Sequence, residues 1–123
     1  MVNRLEDGLK TEWGGQNVWC NPPYSQPLLH QFCQRFIENG NGTLLTFART
    51  DNADFQELLL NTDAVLFLRQ RIRFYLPDGT RGGSPGCGSA LFAIGEQNVE
   101  RLSRTKLKGV LIAIPRRYNT LWK

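Results

Sequence analysis

An alternation of short apolar runs with helical patterns along the first part of the chain constrains the fold most. Apolar runs of strand length occupy residues 16–20, 43–48 and 64–68. Between them, apolar residues recur at helical spacing over residues 28–37 and again over residues 55–59. Strand, helix, strand, helix, strand at these lengths is typical of an α/β sheet, and we expect its neighbouring strands to be parallel.

Residues with strong capping preferences predict where the two helices begin and end. Ser25 is a suitable N-cap for the first helix, and the pair Asn39 and Gly40 ends its apolar pattern. Asp51 or Asn52 is a suitable N-cap for the second helix. Both helices are therefore expected to present an apolar stripe to a common core.

The pattern changes in the last part of the chain. Apolar and basic or amphipathic residues alternate over residues 71–76, which predicts a strand, and the glycine-rich segment 81–88 predicts a surface loop. A buried strand is expected at 89–94, a short helix at 98–106 and a closing strand at 110–114.

Size and composition limit the class of protein. A chain of 123 residues with 41% apolar and 21% charged residues fits one globular domain spanning residues 1–123. Its sequence contains no apolar run near the roughly 18 residues of a membrane span and no signal-peptide core, so we expect a cytoplasmic protein without membrane contact.

Cysteine and histidine usage argues against metal or nucleophilic chemistry. The chain has three cysteines, Cys20, Cys33 and Cys87, and no two of them have a Cys-x-x-Cys spacing. An odd number without this spacing predicts reduced thiols and no metal site. His30 is the single histidine and lies within a helical pattern. No Ser-His-Asp or Cys-His arrangement is therefore predicted.

Charge is distributed unevenly along the chain. Residues 1–66 have a net charge of −4, whereas residues 67–123 have a net charge of +8. Concentrated positive charge attracts phosphate backbones, so the second half is a candidate nucleic-acid surface. A solvated basic surface without a partner is an equally good interpretation of charge alone.

One tetrapeptide suggests a specific chemistry. Asn21, Pro22, Pro23 and Tyr24 follow the first predicted strand directly. In open α/β sheets, ligands bind beyond the carboxyl ends of the strands, which is where this turn is expected to lie. A purely structural interpretation is that the prolines end the strand and that Tyr24 packs on the following helix.

The turn suits alkylation of the exocyclic amine of a nucleobase, whose lone pair is delocalised into the ring. The Asn21 side chain and the Pro22 carbonyl would accept both amino hydrogens and favour a nucleophilic geometry at nitrogen. Because two prolines restrict the backbone, these acceptors would be held in place before the substrate arrives. Tyr24 offers an aromatic face on which an extruded base would stack.

Further short segments accompany this turn in a fixed order. They are Asp7-Gly8-Leu9 with Trp13, residues 18–25, residues 47–51, residues 71–74, Ser84-Pro85 and residues 89–91. Together they resemble the phage-type DNA N-6-adenine methyltransferase (Dam-like) family over roughly residues 5–114. The Asn-Pro-Pro-Tyr turn is the specific part of this resemblance, and the other segments are individually weak.

The resemblance implies a site-specific, adenine-specific DNA methyltransferase with a Rossmann-like, mostly parallel, three-layer sheet. It implies S-adenosylmethionine as the cofactor and double-stranded DNA as the partner. Asn21, Pro22, Pro23 and Tyr24 match the catalytic motif, and Asn21 would also contact the cofactor. Tyr24 and Phe74 would contact the target base, although Phe74 fits a core position equally well.

One departure from the family pattern affects the cofactor. Family members have several tens of residues before the Asp-Gly-Leu segment, and that region binds the methionine end of the cofactor, whereas six residues precede Asp7 here. The expected fold is thus truncated at its N-terminus. An alternative function is a non-catalytic prophage remnant that binds DNA weakly through its basic half, and a third is the same chemistry on RNA or on a protein amide.

Five arginines are candidate DNA contacts. Arg69, Arg71, Arg73 and Arg81 cluster in sequence around the glycine-rich segment, where they would contact phosphates or guanine edges. Arg49 follows a predicted strand at its carboxyl end, on the same side as the motif. Plain surface charge is the competing interpretation for each of them.

Overall fold

A computed structural model describes residues 13–23, 25–69 and 88–114. These residues form five strands and three helices. In chain order they are β1 (Val18–Cys20), α1 (Leu28–Asn39), β2 (Gly42–Phe47), α2 (Ala53–Asn61), β3 (Ala64–Leu68), β4 (Ser89–Ile94), α3 (Glu96–Ser103) and β5 (Gly109–Ala113). The predicted strand at 71–76 and most of the glycine-rich loop lie outside the described residues.

The five strands form one sheet in the order β1-β2-β4-β3-β5. Only β1 and β2 pair in parallel, and the other three pairs are antiparallel. The protein is thus a mixed α/β structure, and the prediction of a mostly parallel sheet is wrong for the described strands. The main reason is β4, which lies between β2 and β3 and is antiparallel to both. As a result β2 and β3, which run in the same direction, are not neighbours.

Strand direction nevertheless brings the ends of β1, β2 and β3 to one side. Because β4 is antiparallel to both β2 and β3, these two strands run the same way, and β1 runs with β2. We call the side where these three strands terminate the carboxyl end of the sheet, and the other side the amino end. Strands β4 and β5 run in the opposite direction and begin at the carboxyl end.

Two apolar clusters cover the two faces of the sheet. One contains Phe32 and Phe36 of α1 and Phe55 of α2, packed against sheet residues such as Leu44. The other contains Leu102 of α3 and adjacent sheet residues of the opposite orientation. Since successive residues of a strand face opposite sides, α1 and α2 pack on one face and α3 on the other.

Local signals explain most of the helix boundaries. The Asn52 side chain accepts hydrogen bonds from the amides of Asp54 and Phe55, so it caps α2 as predicted. Gly40 ends α1 with φ of 70°, a left-handed conformation that suits glycine. The prediction of Ser25 as N-cap is wrong, because α1 begins at Leu28 after Pro27 and has no side-chain cap.

Strand bounds follow the continuous apolar runs closely. Residues 64–68 and 89–94 form β3 and β4 as predicted, whereas α3 begins two residues before the predicted 98 and ends at Ser103. No helix in the described part of the chain is long and apolar enough to cross a membrane.

Candidate active site at the carboxyl end of the sheet

The Asn-Pro-Pro turn lies immediately beyond the carboxyl end of β1. Cys20, the last residue of the strand, is 1% exposed, and Asn21 next to it is exposed. Pro22 is buried and Pro23 is half-buried, so the turn is anchored by its first proline. Tyr24 lies outside the described residues. The change from a buried thiol to an exposed amide within one residue places the Asn21 side chain at the surface of this end.

Two of the five predicted arginines lie at this same end. Arg49 follows β2 and Arg69 follows β3, and both are exposed. The Arg49 guanidinium lies 5.7 Å from the centroid of the Phe47 ring, which directs it back over the end of β2. The sheet therefore places three residues that are widely separated in sequence at the same end: Asn21, Arg49 and Arg69. Four predicted site residues, Arg71, Arg73, Phe74 and Arg81, lie outside the described residues.

A hydrogen-bonded cluster that the sequence analysis missed follows the motif. The Asp54 side chain accepts from Gln26 Nε2 at 2.9 Å through Oδ2, and its Oδ1 lies 2.6 Å from His30 Nδ1. Asp54 is 5% exposed, whereas the His30 side chain is 58% exposed. The cluster joins the segment that follows the motif to the first turn of α2, and it thereby restrains the motif segment.

Sequence alone gave no signal for this cluster because Asp54 is 24 residues from His30. An aspartate in the first turn of a helix is ordinarily explained by the helix dipole. Its burial beside α1 depends on how the two helices pack, which the chain pattern does not specify.

A cavity of about 190 Å³ adjoins the cluster. Its lining combines apolar walls with the polar groups of this end: Gln26, Leu29, Thr46, Phe47, Arg49, Asn52, Asp54, Phe55 and Leu58. Pockets for cofactors and drug-sized ligands usually measure about 300–1,000 Å³. The cavity is smaller than this range, and Asn21 is not among its lining residues.

The two described cysteines are not reactive groups. Burial raises the pKa of the Cys20 thiol to about 12, and the pKa of Cys33 is raised to about 12 by burial and, to a lesser extent, by Asp54 and Cys20. Both thiols are therefore protonated at neutral pH and unsuited to nucleophilic attack. Within residues 13–23, 25–69 and 88–114, no group of three His, Cys, Asp or Glu side chains is placed to hold a metal ion.

A lysine that sequence reasoning did not single out also lies at the carboxyl end. The Arg69 amide donates to the Lys108 carbonyl at 2.8 Å, so Lys108, which precedes β5, is next to Arg69. The side chain of Lys108 is exposed. The sequence contains its charge but not the pairing of β5 with β3 that brings it there.

Comparison with known proteins gives one match. The model of the family described as DNA N-6-adenine-methyltransferase (Dam) matches residues 2–118. Neither the curated proteins nor the solved structures contain a significant match.

Proposed function

Since the chain belongs to the DNA N-6-adenine-methyltransferase (Dam) family, which implies DNA adenine methyltransferase activity, we propose that it transfers a methyl group from S-adenosylmethionine to the 6-amino group of adenine in double-stranded DNA. The observation that carries this proposal is the exposed Asn21 at the carboxyl end of β1, followed by a buried proline. This end of an open α/β sheet is where ligands bind.

Asn21 and Pro22 have complementary roles in the proposed reaction. The Asn21 Oδ1 atom and the Pro22 carbonyl accept the two hydrogens of the adenine amine, which turns the nitrogen lone pair toward the methyl donor. S-adenosylmethionine, when bound, supplies a methyl group on a positively charged sulfur. A nitrogen–carbon bond forms, the sulfur–carbon bond breaks, and the amine proton leaves to solvent.

Preorganisation explains why this site needs no strong base. Pro22 and Pro23 have fixed φ angles and restrict their predecessors, so the acceptors do not have to be ordered during the reaction. Burial of Pro22 and the Gln26–Asp54 hydrogen bond restrain the two sides of the turn. Asn21, being exposed, is available to contact the cofactor as well.

The target base has to leave the duplex to reach Asn21. Adenine in a duplex is stacked and paired, so enzymes that modify it extrude the base into a site that stacks on it. We assign this stacking to Tyr24, with Phe74 as a second aromatic contact. Arg49 and Arg69, together with Arg71, Arg73 and Arg81, are the proposed contacts to DNA.

Transfer of labelled methyl from S-adenosylmethionine to unmethylated DNA of mixed sequence tests the proposal. Asn21→Ala is expected to abolish the signal. Asn61→Ala is the matched control, because Asn61 is an exposed asparagine at the end of α2 that lies away from the motif. Equal transfer by the wild type and Asn21→Ala would falsify the assigned mechanism.

The charge distribution favours a second candidate, a protein that binds DNA without catalysis. Residues 67–123 have a net charge of +8, and phosphate contacts alone give binding that weakens steeply with salt. This candidate predicts salt-dependent DNA binding without measurable affinity for S-adenosylmethionine. Methyl transfer to RNA or to a protein amide in place of DNA is tested by competition among the three substrates.

A further inference from the structure

The exposed cations at the carboxyl end form a row across the sheet. Starting from Asn21 beside β1, the strand order brings Arg49 next, then Arg69 and then Lys108. All three cationic residues are exposed, and the hydrogen bond from the Arg69 amide to the Lys108 carbonyl fixes the spacing of the last two. The row begins at the motif and continues to the far edge strand, β5.

Helix α3 adds charge to the far part of the row. It leads from the end of β4 at the amino end to the start of β5 at the carboxyl end, so its last turn lies near Lys108. Arg101 and Lys106 are exposed there. Arg104 is paired with Glu100 and contributes less net charge.

The seven described acidic residues are distributed more evenly than the cations: three lie at the amino end, two at the carboxyl end, and Glu57 and Glu100 lie midway along α2 and α3. At the amino end, the described chain has Glu38 near the end of α1, Asp63 before β3 and Glu96 at the start of α3. At the carboxyl end, Asp51 is exposed and Asp54 is buried in its cluster. The helix dipole accounts for Glu96 at the start of α3 and for Arg101 in its last turn. Arg49, Arg69 and Lys108 lie outside the helices, and exposed cations gathered at one end of a sheet suit a polyanion.

We propose that the duplex lies along this row, so that Arg69 and Lys108 contact phosphates at a fixed distance from the methylated adenine. Neighbouring strands are about 4.8 Å apart. Arg69 is three strand positions from Asn21 and Lys108 is four, which puts them roughly 14 and 19 Å away. At about 3.4 Å per base pair, these cations contact phosphates about four to six base pairs from the target. The inference rests on the proposed function because it takes the extruded base to be at Asn21.

Charge reversal at the two ends of the sheet tests the contact. Lys108→Glu changes the row, and Arg35→Glu makes the same change in net charge at the amino end, where Arg35 lies against Trp13. Binding of each variant to a mixed-sequence duplex of about 30 base pairs is measured over a range of salt concentrations. We expect Lys108→Glu to reduce the slope of log affinity against log salt by about 1 and Arg35→Glu to leave it unchanged. Equal slopes for the two variants would overturn the inference.

Duplex length tests the distance. Once the methylated adenine has been mapped, it is placed in duplexes with ten or with three base pairs on each side. Lys108→Glu is expected to raise KM for the long duplex by roughly 3- to 10-fold and to have no effect on KM for the short one. An equal increase for both duplexes contradicts the predicted distance.

The two experiments also separate this inference from the proposed function. If the wild-type protein transfers no methyl group, the proposed function fails, and the salt slopes still decide whether the row binds DNA. If transfer depends on Asn21 while Lys108→Glu and Arg35→Glu behave alike, the function stands and the row is ordinary surface charge.

Discussion

Asparagine side chains lie at both ends of the sheet, and one of them, Asn21, belongs to the proposed site. At the amino end, Asn39 Oδ1 accepts from the Gly15 amide at 2.8 Å, and Asn98 Nδ2 donates to Asn41 Oδ1 at 2.9 Å. At the carboxyl end, Asn21 is exposed beyond the last residue of β1. Asparagines at the amino end thus hold segments of the chain together, as Asn52 does at the carboxyl end by capping α2, whereas we propose that Asn21 contacts the substrate.

Charge follows the same division. Among the described residues, exposed cations lie toward the carboxyl end whereas carboxylates lie at both ends, and no single segment of the chain contains this pattern. It arises because β3 and β5 bring Arg69 and Lys108 next to each other. From this comparison we expect residues at the amino end to contribute mainly to stability, and Asn21 and the cations at the carboxyl end to contribute to the proposed activity, so that substitutions at each end separate the two properties.

Asn21→Ala is expected to have the largest effect, and on activity alone. Loss of one preorganised polar group at a reacting centre typically lowers kcat by about 100- to 1,000-fold. An exposed side chain contributes little to folding, so we expect the free energy of unfolding to change by less than about 1 kcal/mol. Single-turnover methyl transfer and urea unfolding of the same sample measure both. A loss of stability as large as the loss of activity would remove the distinction between the ends.

Asn98→Ala is the converse change at the amino end. Asn98 is 2% exposed, and its Nδ2 donates both to Asn41 Oδ1 and to the Ile94 carbonyl. Leaving these buried acceptors unpaired should lower the free energy of unfolding by about 1–3 kcal/mol, with methyl transfer per folded molecule unchanged. Exposed Gln97 on the same helix gives the control Gln97→Ala, for which a change within about 0.5 kcal/mol is expected.

The pH dependence of stability tests whether water is excluded from Cys20, the residue directly before the motif, and from Cys33. The pKa of Cys20 and of Cys33 is raised from the ordinary 9.0 to about 12, so the folded protein keeps protons that the unfolded chain loses. Their contribution to stability is complete below pH 9 and decreases as pH rises toward 12, by on the order of 1 kcal/mol per thiol at pH 10. Urea unfolding from pH 8 to 10 measures it.

Two further observations complete that test. Cys33→Ala should flatten the pH dependence by removing one of the two thiols. In the native protein at pH 8, a thiol reagent should modify Cys20 far more slowly than it does in urea. Rapid native labelling of Cys20 means that the carboxyl end opens to solvent beneath Asn21, contrary to the burial seen here.

The smallest expected effect concerns Arg35 at the amino end. Arg35 is half-buried, its guanidinium lies 6.0 Å from the centroid of the buried Trp13 ring, and a cation–π contact whose cation is still partly solvated contributes about 0.5–1 kcal/mol. Arg35→Ala should lower the free energy of unfolding by that amount and leave methyl transfer intact. Glu38→Ala is the control: because Glu38 is exposed, we expect no measurable effect on the free energy of unfolding. A decrease in methyl transfer by Arg35→Ala would mean that a cation at the amino end of the sheet contributes to activity, which contradicts the proposed separation of the two ends.

Local patterns predicted the parts of the fold that depend on neighbours in sequence. The apolar runs at 64–68 and 89–94 specified β3 and β4, and Asn52 specified the start of α2. Strand order was not predictable in this way, because nothing in residues 89–94 says that they insert between β2 and β3. The expectation of parallel neighbours is therefore confirmed for β1 and β2 and wrong for the other strand pairs.

The candidate site divides in the same manner. The Asn-Pro-Pro turn was found from adjacent residues and from the strand that precedes it. The Asp54 cluster with Gln26 and His30 depends on the packing of two helices, and the position of Lys108 depends on a strand pair. Sequence therefore predicted the chemistry that we propose for the site, while its supporting contacts required the three-dimensional structure.

The central position of β4 also determines when the protein can acquire its sheet during synthesis. All six residues of β4 are buried, and among the described strands it alone pairs with both β2 and β3. Until Ile94 has left the ribosome, those two strands present unpaired edges to each other, which are sites for aggregation or chaperone binding. Because the connecting strand is made after both β2 and β3, Arg49 and Arg69 come into their final positions late, and a nascent chain that ends before residue 89 lacks the assembled row of cations that we propose binds DNA.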